Sequence, residues 1–145
     1  MVAVDTNILV YAHRADSAWH ARADQVLTGL AEGGSAWAIP WPCVYEFYAI
    51  VTHPKIYTPP TPSKDALIQI GCWMESPTLV LLHEGDGFWD ALHPILQGSA
   101  VQGGAVHDAR IAALCLRHGV KKLLSADRDF SRFPTLRTEN PLRLS

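Results

Sequence analysis

Residues 2–10 read VAVDTNILV, with one acid and two polar residues between two apolar runs. The first run is short and partly β-branched, which is typical of a buried strand. The second run continues at helical spacing into Tyr11 and Ala12. The stretch therefore predicts a strand that passes at once into a helix, with the carboxyl group of Asp5 at the end of the strand.

The same step from strand to helix recurs along the chain. Short apolar runs predict strands at 36–39, 79–82 and 123–124, and a weak final strand is predicted at 135–137. Segments with helical spacing lie between the strands, and the predicted helices occupy 16–32, 43–53, 63–74, 86–97 and 103–119. Parallel strands require a crossover that is usually helical and right-handed. The alternation therefore predicts an α/β fold with a mostly parallel sheet covered on both faces.

Single residues set where some of these helices are expected to begin, bend and end. Asp16 and Ser17 offer an N-cap for the second helix. Pro94 predicts that the helix at 86–97 is bent in its middle. Gly119 suits the position just past the end of the last helix, where a left-handed backbone is common.

The length and composition fit one globular domain. The chain has 145 residues, so residues 1–145 are predicted to form a single domain. With 48% hydrophobic and 18% charged residues it can bury a core, which argues against disorder. A net charge of −2 excludes a strongly basic protein that coats nucleic acid, although a local basic patch is compatible with it.

The cysteines and the N-terminal sequence indicate in which cellular compartment the protein is expected. Cys43, Cys72 and Cys115 are odd in number and widely spaced, which indicates neither a disulfide framework nor a CxxC metal site. The N-terminus lacks the pattern of a signal peptide, and no window approaches the roughly 18 apolar residues of a membrane span. We therefore expect a cytoplasmic protein that does not enter a membrane.

Three acids stand where a strand ends or a helix begins. Asp5 and Asp127 follow predicted strands, and Asp108 lies in the first turn of a predicted helix. Each has a structural alternative. Asp5 and Asp127 are suitable N-caps, and a negative charge at Asp108 suits the helix dipole.

Glu46 differs from these acids because it is the one charge in the apolar segment 42–51. A helix that is apolar all round is buried, so Glu46 is expected to be a buried carboxylate. Burial of an ionised carboxylate is costly unless a positive or hydrogen-bonding group compensates it. A structural salt bridge is the alternative explanation, although the helix itself offers no basic partner.

The four acids can converge at the carboxyl edge of the sheet, where open α/β sheets form their functional crevice. Four close carboxylates cannot all stay ionised without a cation. Oxygen ligands without a His or Cys pattern favour Mg²⁺ or Mn²⁺ over Zn²⁺. Such an ion also takes phosphate oxygens and activates a bound water. The residues thus predict metal-dependent cleavage of a phosphodiester bond.

Four stretches, in this order and spacing, resemble a known family. VDTNIL at 4–9, Glu46 in its apolar helix, HDARIAALCLRHG at 107–119 and LLSADRDFSRF at 123–133 are similar to the motifs of PIN-domain nucleases. Within that family they look like VapC-type toxins of bacterial toxin–antitoxin pairs, and the resemblance covers the chain essentially end to end. It implies a three-layer α/β/α sandwich with a central parallel sheet. It also implies a Mg²⁺- or Mn²⁺-dependent endoribonuclease.

The resemblance assigns roles to individual residues. The catalytic and metal-binding acids of the family fall on Asp5, Glu46, Asp108 and Asp127. Asp5 and Asp108 are the first candidates for direct ligands, and Asp129 is a further candidate. The oxygen-only ligand set expected from the residues is therefore the one that the family implies.

Polar residues beside the first and last acids match positions of the family as well, and they fall on Thr6, Asn7 and Ser125. Asn7 is expected to fix the carboxylate of Asp5, and Ser125 to contact either the substrate or Asp127. The family often has Thr at the position of Ser125, and the hydroxyl group is retained here.

Partners follow from charge and from the resemblance. Arginines close in sequence to the acid motifs are expected to pair with RNA phosphates, namely Arg14, Arg110, Arg128 and Arg132. The alternative for each of them is a solvated surface arginine. The family implies a homodimer and a VapB-type antitoxin protein. No motif indicates which RNA is the target.

Two other functions are alternatives to the nuclease. A phosphatase of the haloacid dehalogenase type would use Asp5 as a nucleophile, but it places a second acid two residues later, where this chain has Asn7. A non-catalytic RNA- or protein-binding module would keep the fold without the chemistry. The presence of all four acids argues against that loss of function.

Overall fold

The structure is a computed structural model that describes residues 1–143, so the last two residues of the predicted domain lie outside the described residues. The strands are β1 (Val2–Val4), β2 (Trp37–Pro40), β3 (Leu79–Leu82), β4 (Lys122–Leu124) and β5 (Thr138–Glu139). The helices are α1 (Thr6–His13), α2 (His20–Ala31), α3 (Trp41–Val51), α4 (Ser63–Met74), α5 (Phe88–Ser99) and α6 (Val106–Arg117). Short 3-10 turns occupy Gly103–Ala105 and Arg128–Arg132.

All five strands pair in parallel in the order β3-β2-β1-β4-β5. The central strand β1 places Ala3 opposite Ala38 of β2 on one side and opposite Leu123 of β4 on the other. From β1 the chain builds outward to β3, and it then returns to the other side of β1 to form β4. The chain order thus reverses between β1 and β4, which is where open parallel sheets place their functional crevice. The predicted α/β class with a central parallel sheet is confirmed.

The core fixes the elements that carry the predicted acids. Ala3, Ile8, Leu9 and Leu123 are fully buried, so β1, α1 and β4 are held against one another by apolar contacts. The predicted step from strand to helix at Asp5 is therefore correct. It brings the end of β1 into the middle of the molecule.

Some boundaries differ from the sequence-based predictions for local reasons. α2 begins at His20, not after Ser17, because the Ser17 hydroxyl accepts a hydrogen bond from the Trp19 amide within a turn. The final strand is β5, not 135–137, and Leu136 is buried in the core ahead of it. α5 runs through Pro94 to Ser99. Pro94 is exposed, so water can satisfy the carbonyl that the missing N–H leaves free.

The expectation that α3 is buried all round is wrong. Tyr45 is 59% exposed and Ala49 is also exposed, so one apolar face of the helix is open to solvent. Glu46 lies at the border of that face and is half-buried. Its carboxylate therefore keeps partial access to solvent, which lowers the cost of its charge.

None of the helices within residues 1–143 combines the length and the apolar character needed to cross a membrane.

Candidate metal centre

Asp5 lies at the end of β1 and caps α1. Its Oδ1 accepts a hydrogen bond of 2.8 Å from the Thr6 amide, and its Oδ2 accepts one of 2.7 Å from the Ser125 hydroxyl. The residue is only 5% exposed. Burial raises the pKa of Asp5 from 3.8 to about 6, the nearby charges of Glu46 and Asp108 add to the rise, and the two hydrogen bonds oppose it. The N-cap is thus also a buried acid with a perturbed pKa.

A hydrogen-bond network joins the ends of β1 and β4 around this carboxylate. The Ser125 hydroxyl accepts a bond of 3.0 Å from the Asp127 amide, and Asn7 Oδ1 accepts one of 3.1 Å from the Ala126 amide. Asn7 Nδ2 lies 3.4 Å from Asp5 Oδ2. Ser125 is 4% exposed, so its hydroxyl faces Asp5 and not the solvent. The arrangement fits the expected role of Asn7 in holding Asp5.

Three carboxylates form a cluster beside Asp5. Asp108, Asp127 and Asp129 each place one oxygen within 4.8 Å of the others. Asp127 caps the 3-10 turn that follows it, because its Oδ1 accepts a bond of 2.8 Å from the Asp129 amide. Burial raises the pKa of Asp108 above its ordinary value, and the charges of Asp127, Asp129 and Glu46 raise it further. A cation that binds the cluster would relieve this repulsion.

Glu46 approaches the site from α3, and its partner is a residue that sequence reasoning did not connect to it. The Thr6 hydroxyl donates a hydrogen bond of 2.7 Å to Glu46 Oε2. This bond compensates the half-buried carboxylate, for which a salt bridge was the sequence-based alternative. No sequence signal links positions 40 residues apart in this way, because helix α3 reaches Thr6 only through the packing of the fold.

Cys43 is a second neighbour of the site that the sequence did not reveal. Its sulfur lies 3.7 Å from Asp5 Oδ1. Complete burial raises the pKa of this thiol well above its ordinary range, and the charge of Asp5 raises it further. Cys43 is therefore a neutral, weak hydrogen-bond donor to Asp5.

The four predicted RNA-binding arginines differ in their surroundings. Arg14 is 2.6 Å from the Asp16 carboxylate, and its guanidinium lies 4.3 Å from the centre of the Tyr57 ring. Arg110 is paired with Glu84. Arg132 lies 3.8 Å from Asp129 Oδ1, at the rim of the acid cluster, and Arg128 is exposed beside it. Of the four, Arg128 and Arg132 are the arginines adjacent to the acids.

The family model described as PIN domain matches residues 2–136, which include every acid of the site. The chain belongs to the PIN-domain family. The matched segment spans β1 to the region just before β5, so it contains the crevice between β1 and β4. The resemblance on which the motifs at 4–9 and 123–133 were assigned is therefore confirmed.

Curated relatives of this PIN domain extend over nearly its whole length. It is 34% identical over 142 residues to the VapC ribonuclease Mb2897 of Mycobacterium bovis, a match that covers 98% of this chain and 96% of that protein. It is 28% identical over 137 residues to Ribonuclease VapC48 of Mycobacterium tuberculosis, with 94% of each chain covered. The prediction of a PIN-domain ribonuclease of the VapC type is confirmed by these relationships.

Solved structures show the same fold at low sequence identity. The VapBC2 complex of Rickettsia felis, bound to a DNA fragment from its promoter, contains a chain with a TM-score of 0.66 and 19% identity, covering 96% of this PIN domain and 98% of that chain. VapC20 of Mycobacterium tuberculosis, a toxin that cleaves the sarcin-ricin loop, has a TM-score of 0.66 and 14% identity, covering 90% and 93%. At these identities the likeness establishes the fold alone.

The stability of the metal-free PIN domain should fall as the pH rises from about 4 to about 6.5 through the contribution of Asp5. The pKa of Asp5 is about 6 in the folded protein against 3.8 as its ordinary value, so the folded state holds a proton that the unfolded state has released. The contribution, about 3 kcal/mol at about 1.4 kcal/mol per pKa unit, is present at low pH and lost above the folded pKa.

Urea unfolding in EDTA, repeated across this pH range, measures the effect. Asp5→Asn is the control, because an amide does not titrate and the variant should lack this part of the pH dependence. Parallel profiles for the wild type and Asp5→Asn would contradict the prediction.

Replacement of Thr6 by valine should lower cleavage activity by roughly 10- to 100-fold, as is usual when the partner of a metal-site residue is removed. Valine has nearly the same shape but cannot donate the 2.7 Å bond to Glu46. Thr6→Ser restores the hydroxyl and should recover most of the activity. Single-turnover cleavage rates measure the change, with circular dichroism to confirm that α1 is retained. Equal losses in both variants would contradict the prediction, because Thr6→Ser keeps the hydroxyl that donates to Glu46.

Proposed function

We propose that this PIN domain is a Mg²⁺- or Mn²⁺-dependent endoribonuclease, the toxin of a type II toxin–antitoxin pair, that hydrolyses RNA phosphodiester bonds. The observation that carries the proposal is the cluster of Asp108, Asp127 and Asp129 beside the buried Asp5, at the reversal of strand order. The VapC ribonucleases to which the chain is 34% identical support the type of reaction. We take residues 1–145 to act as a single PIN domain.

The acids would hold the ion through oxygen ligands. Asp108, Asp127 and Asp129 offer three carboxylate oxygens within 4.8 Å of one another, a donor set that suits a hard cation. Asp5 and Glu46 complete the predicted set of acids, since the charges of Glu46 and Asp108 raise the pKa of Asp5 and the charge of Glu46 raises that of Asp108. A bound Mg²⁺ or Mn²⁺ supplies a more acidic water and positive charge for the phosphate oxygens.

The side chains of the site have separable tasks in this proposal. Ser125 and the Thr6 amide hold the Asp5 carboxylate in one orientation through bonds of 2.7 and 2.8 Å. Thr6 occupies Oε2 of Glu46, which leaves Oε1 free to accept the proton of the attacking water. Arg128 and Arg132 are positioned to attract phosphates to an otherwise negative site.

Arg14 and Arg110 are given a lesser role in RNA binding than the sequence suggested. Both already contact acidic side chains, Asp16 and Glu84 respectively. The partner carboxylate neutralises much of the charge that would attract a phosphate, whereas Arg132 lies 3.8 Å from Asp129 and is less closely paired. We therefore assign phosphate binding to Arg128 and Arg132.

The proposed partners are an antitoxin and a second copy of the chain. The Rickettsia felis neighbour is a VapBC2 complex, which supports a VapB-type antitoxin for this PIN domain. A homodimer is proposed from the family resemblance alone. An RNA-cleaving toxin meets its substrate in the cytoplasm, where we expect the protein to act.

The test is cleavage of total cellular RNA by purified, antitoxin-free protein with Mg²⁺ or Mn²⁺, compared with EDTA and with Asp5→Asn. Discrete fragments that need the metal and disappear in the variant are the expected result. A folded protein that takes up the metal and leaves RNA intact would overturn the proposal. It would favour the alternative function, a PIN-fold module that binds RNA or protein without cleaving it.

A further inference from the structure

A depression lies on the β3 side of the sheet, where β2 and β3 end. It is a cavity of about 280 Å³ lined by Trp41, Pro42, Tyr45, His83, Glu84 and Arg110. Trp41 begins α3 directly after β2, and His83 directly follows β3, so the cavity opens at the carboxyl edge of the sheet. Asp5 directly follows β1 at this edge, and Asp127 lies three residues after the end of β4.

The walls of the cavity are contiguous in sequence with the site. Tyr45 immediately precedes Glu46 on α3, and Arg110 follows Asp108 by two residues on α6. Residues one or two apart on a helix point in different directions, so the cavity and the acids are separate sites on the same edge of the sheet. An RNA strand whose phosphate lies at the acids can reach the cavity with a neighbouring nucleotide. The cavity is slightly below the roughly 300–1,000 Å³ of sites for drug-sized ligands, which suits a single flat ring system.

The lining combines a flat aromatic wall with hydrogen-bond donors and acceptors. The Trp41 and Tyr45 rings are stacked, with centroids 5.9 Å apart and an angle of 24° between their planes. Glu84 accepts a hydrogen bond from Arg110 Nε through Oε1, which leaves Oε2 as an acceptor and the terminal nitrogens of Arg110 as donors. Stacking plus donors and acceptors at the ring edge is the way proteins bind unpaired RNA bases.

Helix stability alone does not explain the aromatic pair. Residues four apart on a helix stabilise it by only a few tenths of a kcal/mol. Tyr45 keeps 59% of its surface exposed where it lines the cavity, so its ring is accessible to a ligand there.

From these observations we propose that the cavity binds one unpaired RNA base next to the scissile phosphate, with Tyr45 and Trp41 as the stacking wall and Glu84 and Arg110 at the base edge. The proposal rests on the ribonuclease function proposed above. It gives Arg110 a role toward the base in place of the phosphate contact expected from the sequence. It also makes Tyr45 a determinant of substrate specificity.

The test measures binding separately from cleavage. Fluorescence anisotropy with labelled single-stranded homopolymers of adenosine, cytidine or uridine is recorded with Ca²⁺ in place of Mg²⁺, using the full chain. Tyr45→Ala should weaken binding about 5- to 100-fold for at least one homopolymer, as expected for the loss of one stacked base. Tyr45→Phe keeps the ring and should bind like the wild type.

Trp89→Ala is the matched control, because Trp89 is 61% exposed and meets His93 four residues later on another helix, outside the lining of the cavity. A set of oligonucleotides, each lacking the base at one position, allows a double-mutant cycle between Tyr45 and each base of the RNA. At one position the missing base should weaken binding to the wild type and cause no further loss in Tyr45→Ala.

The outcomes separate this inference from the proposed function. Suppose that the wild type cleaves RNA. If Tyr45→Ala then binds RNA as tightly as the wild type, or if it binds every oligonucleotide with a missing base more weakly than the wild type does, the base site is overturned and the nuclease stands. If RNA is bound through Tyr45 but not cleaved, the base site stands and the nuclease is overturned. If RNA is neither bound nor cleaved, both are overturned, and a protein partner is left as the occupant of the cavity.

Discussion

Replacement of Asp108 by asparagine is expected to lower kcat for RNA cleavage by on the order of 10³-fold. Asp108 contributes one of the three carboxylate oxygens that lie within 4.8 Å of one another. The amide of asparagine carries no negative charge and is a weaker ligand for a hard cation. Single-turnover cleavage of RNA at saturating Mg²⁺ measures the loss.

The same variant tests whether Asp108 is a metal ligand or a structural acid. Without metal, its charge is repelled by Asp127 and Asp129, so Asp108→Asn should have the same Tm as the wild type or a higher one. Mn²⁺ should raise the Tm of the wild type because it binds the folded state, and it should change the Tm of the variant much less.

Asp90→Asn is the matched control for this experiment. Asp90 also lies in the first turn of a helix, α5, and it is exposed. Its replacement should leave both cleavage and the metal-induced rise in Tm as they are in the wild type. An Asp108→Asn variant that behaves like Asp90→Asn would contradict the metal assignment.

Replacement of Phe47 by alanine should lower the free energy of unfolding by about 3–5 kcal/mol. Phe47 is fully buried, and its ring lies 5.3 Å from that of His13 and 4.8 Å from that of Trp73, centre to centre. The lost ring would leave a cavity where α1, α3 and α4 meet. The change is large, because the total free energy of unfolding of a typical domain is about 5–15 kcal/mol. Urea unfolding of the metal-free protein measures it.

Phe47→Leu serves as the conservative control, because it keeps most of the volume and should cost less than about 1.5 kcal/mol. Activity is a second readout, since α3 also holds Glu46 against Thr6. Cleavage per folded molecule should drop in Phe47→Ala and stay near the wild-type value in Phe47→Leu. A loss of stability below about 1 kcal/mol in Phe47→Ala would show that this aromatic contact does not hold α3 in place.

The acids at the strand ends show that a local explanation and a functional one can apply to the same residue. Asp5 is the N-cap of α1 and also a buried carboxyl group with a pKa of about 6. Asp127 caps a 3-10 turn and also belongs to the acid cluster. N-capping was the sequence-based alternative to a role in the site for both residues. The structure shows that the two are compatible, because each cap uses one of the two carboxylate oxygens.

Predictions of strands and helices succeeded where several apolar residues in a short segment follow one spacing. The strand at Val2–Val4 and the helix that follows it are present, as are the strand at Leu79–Leu82 and the helix at Ser63–Met74. The N-cap predicted at Ser17 depended on a single residue and was wrong, because the Ser17 hydroxyl is used within a neighbouring turn.

By itself, the sequence determined the α/β alternation, the family and the positions of the acids, because these depend on short-range periodicity and on motifs within contiguous segments. The tertiary structure alone decided how the acids are grouped. It placed Asp129 with Asp108 and Asp127, joined Thr6 to Glu46, paired Arg110 with Glu84 and left Tyr45 exposed beside them. Each of these contacts joins separate elements or depends on which face of a helix the core covers. Only the packing of the helices on the sheet determines such contacts.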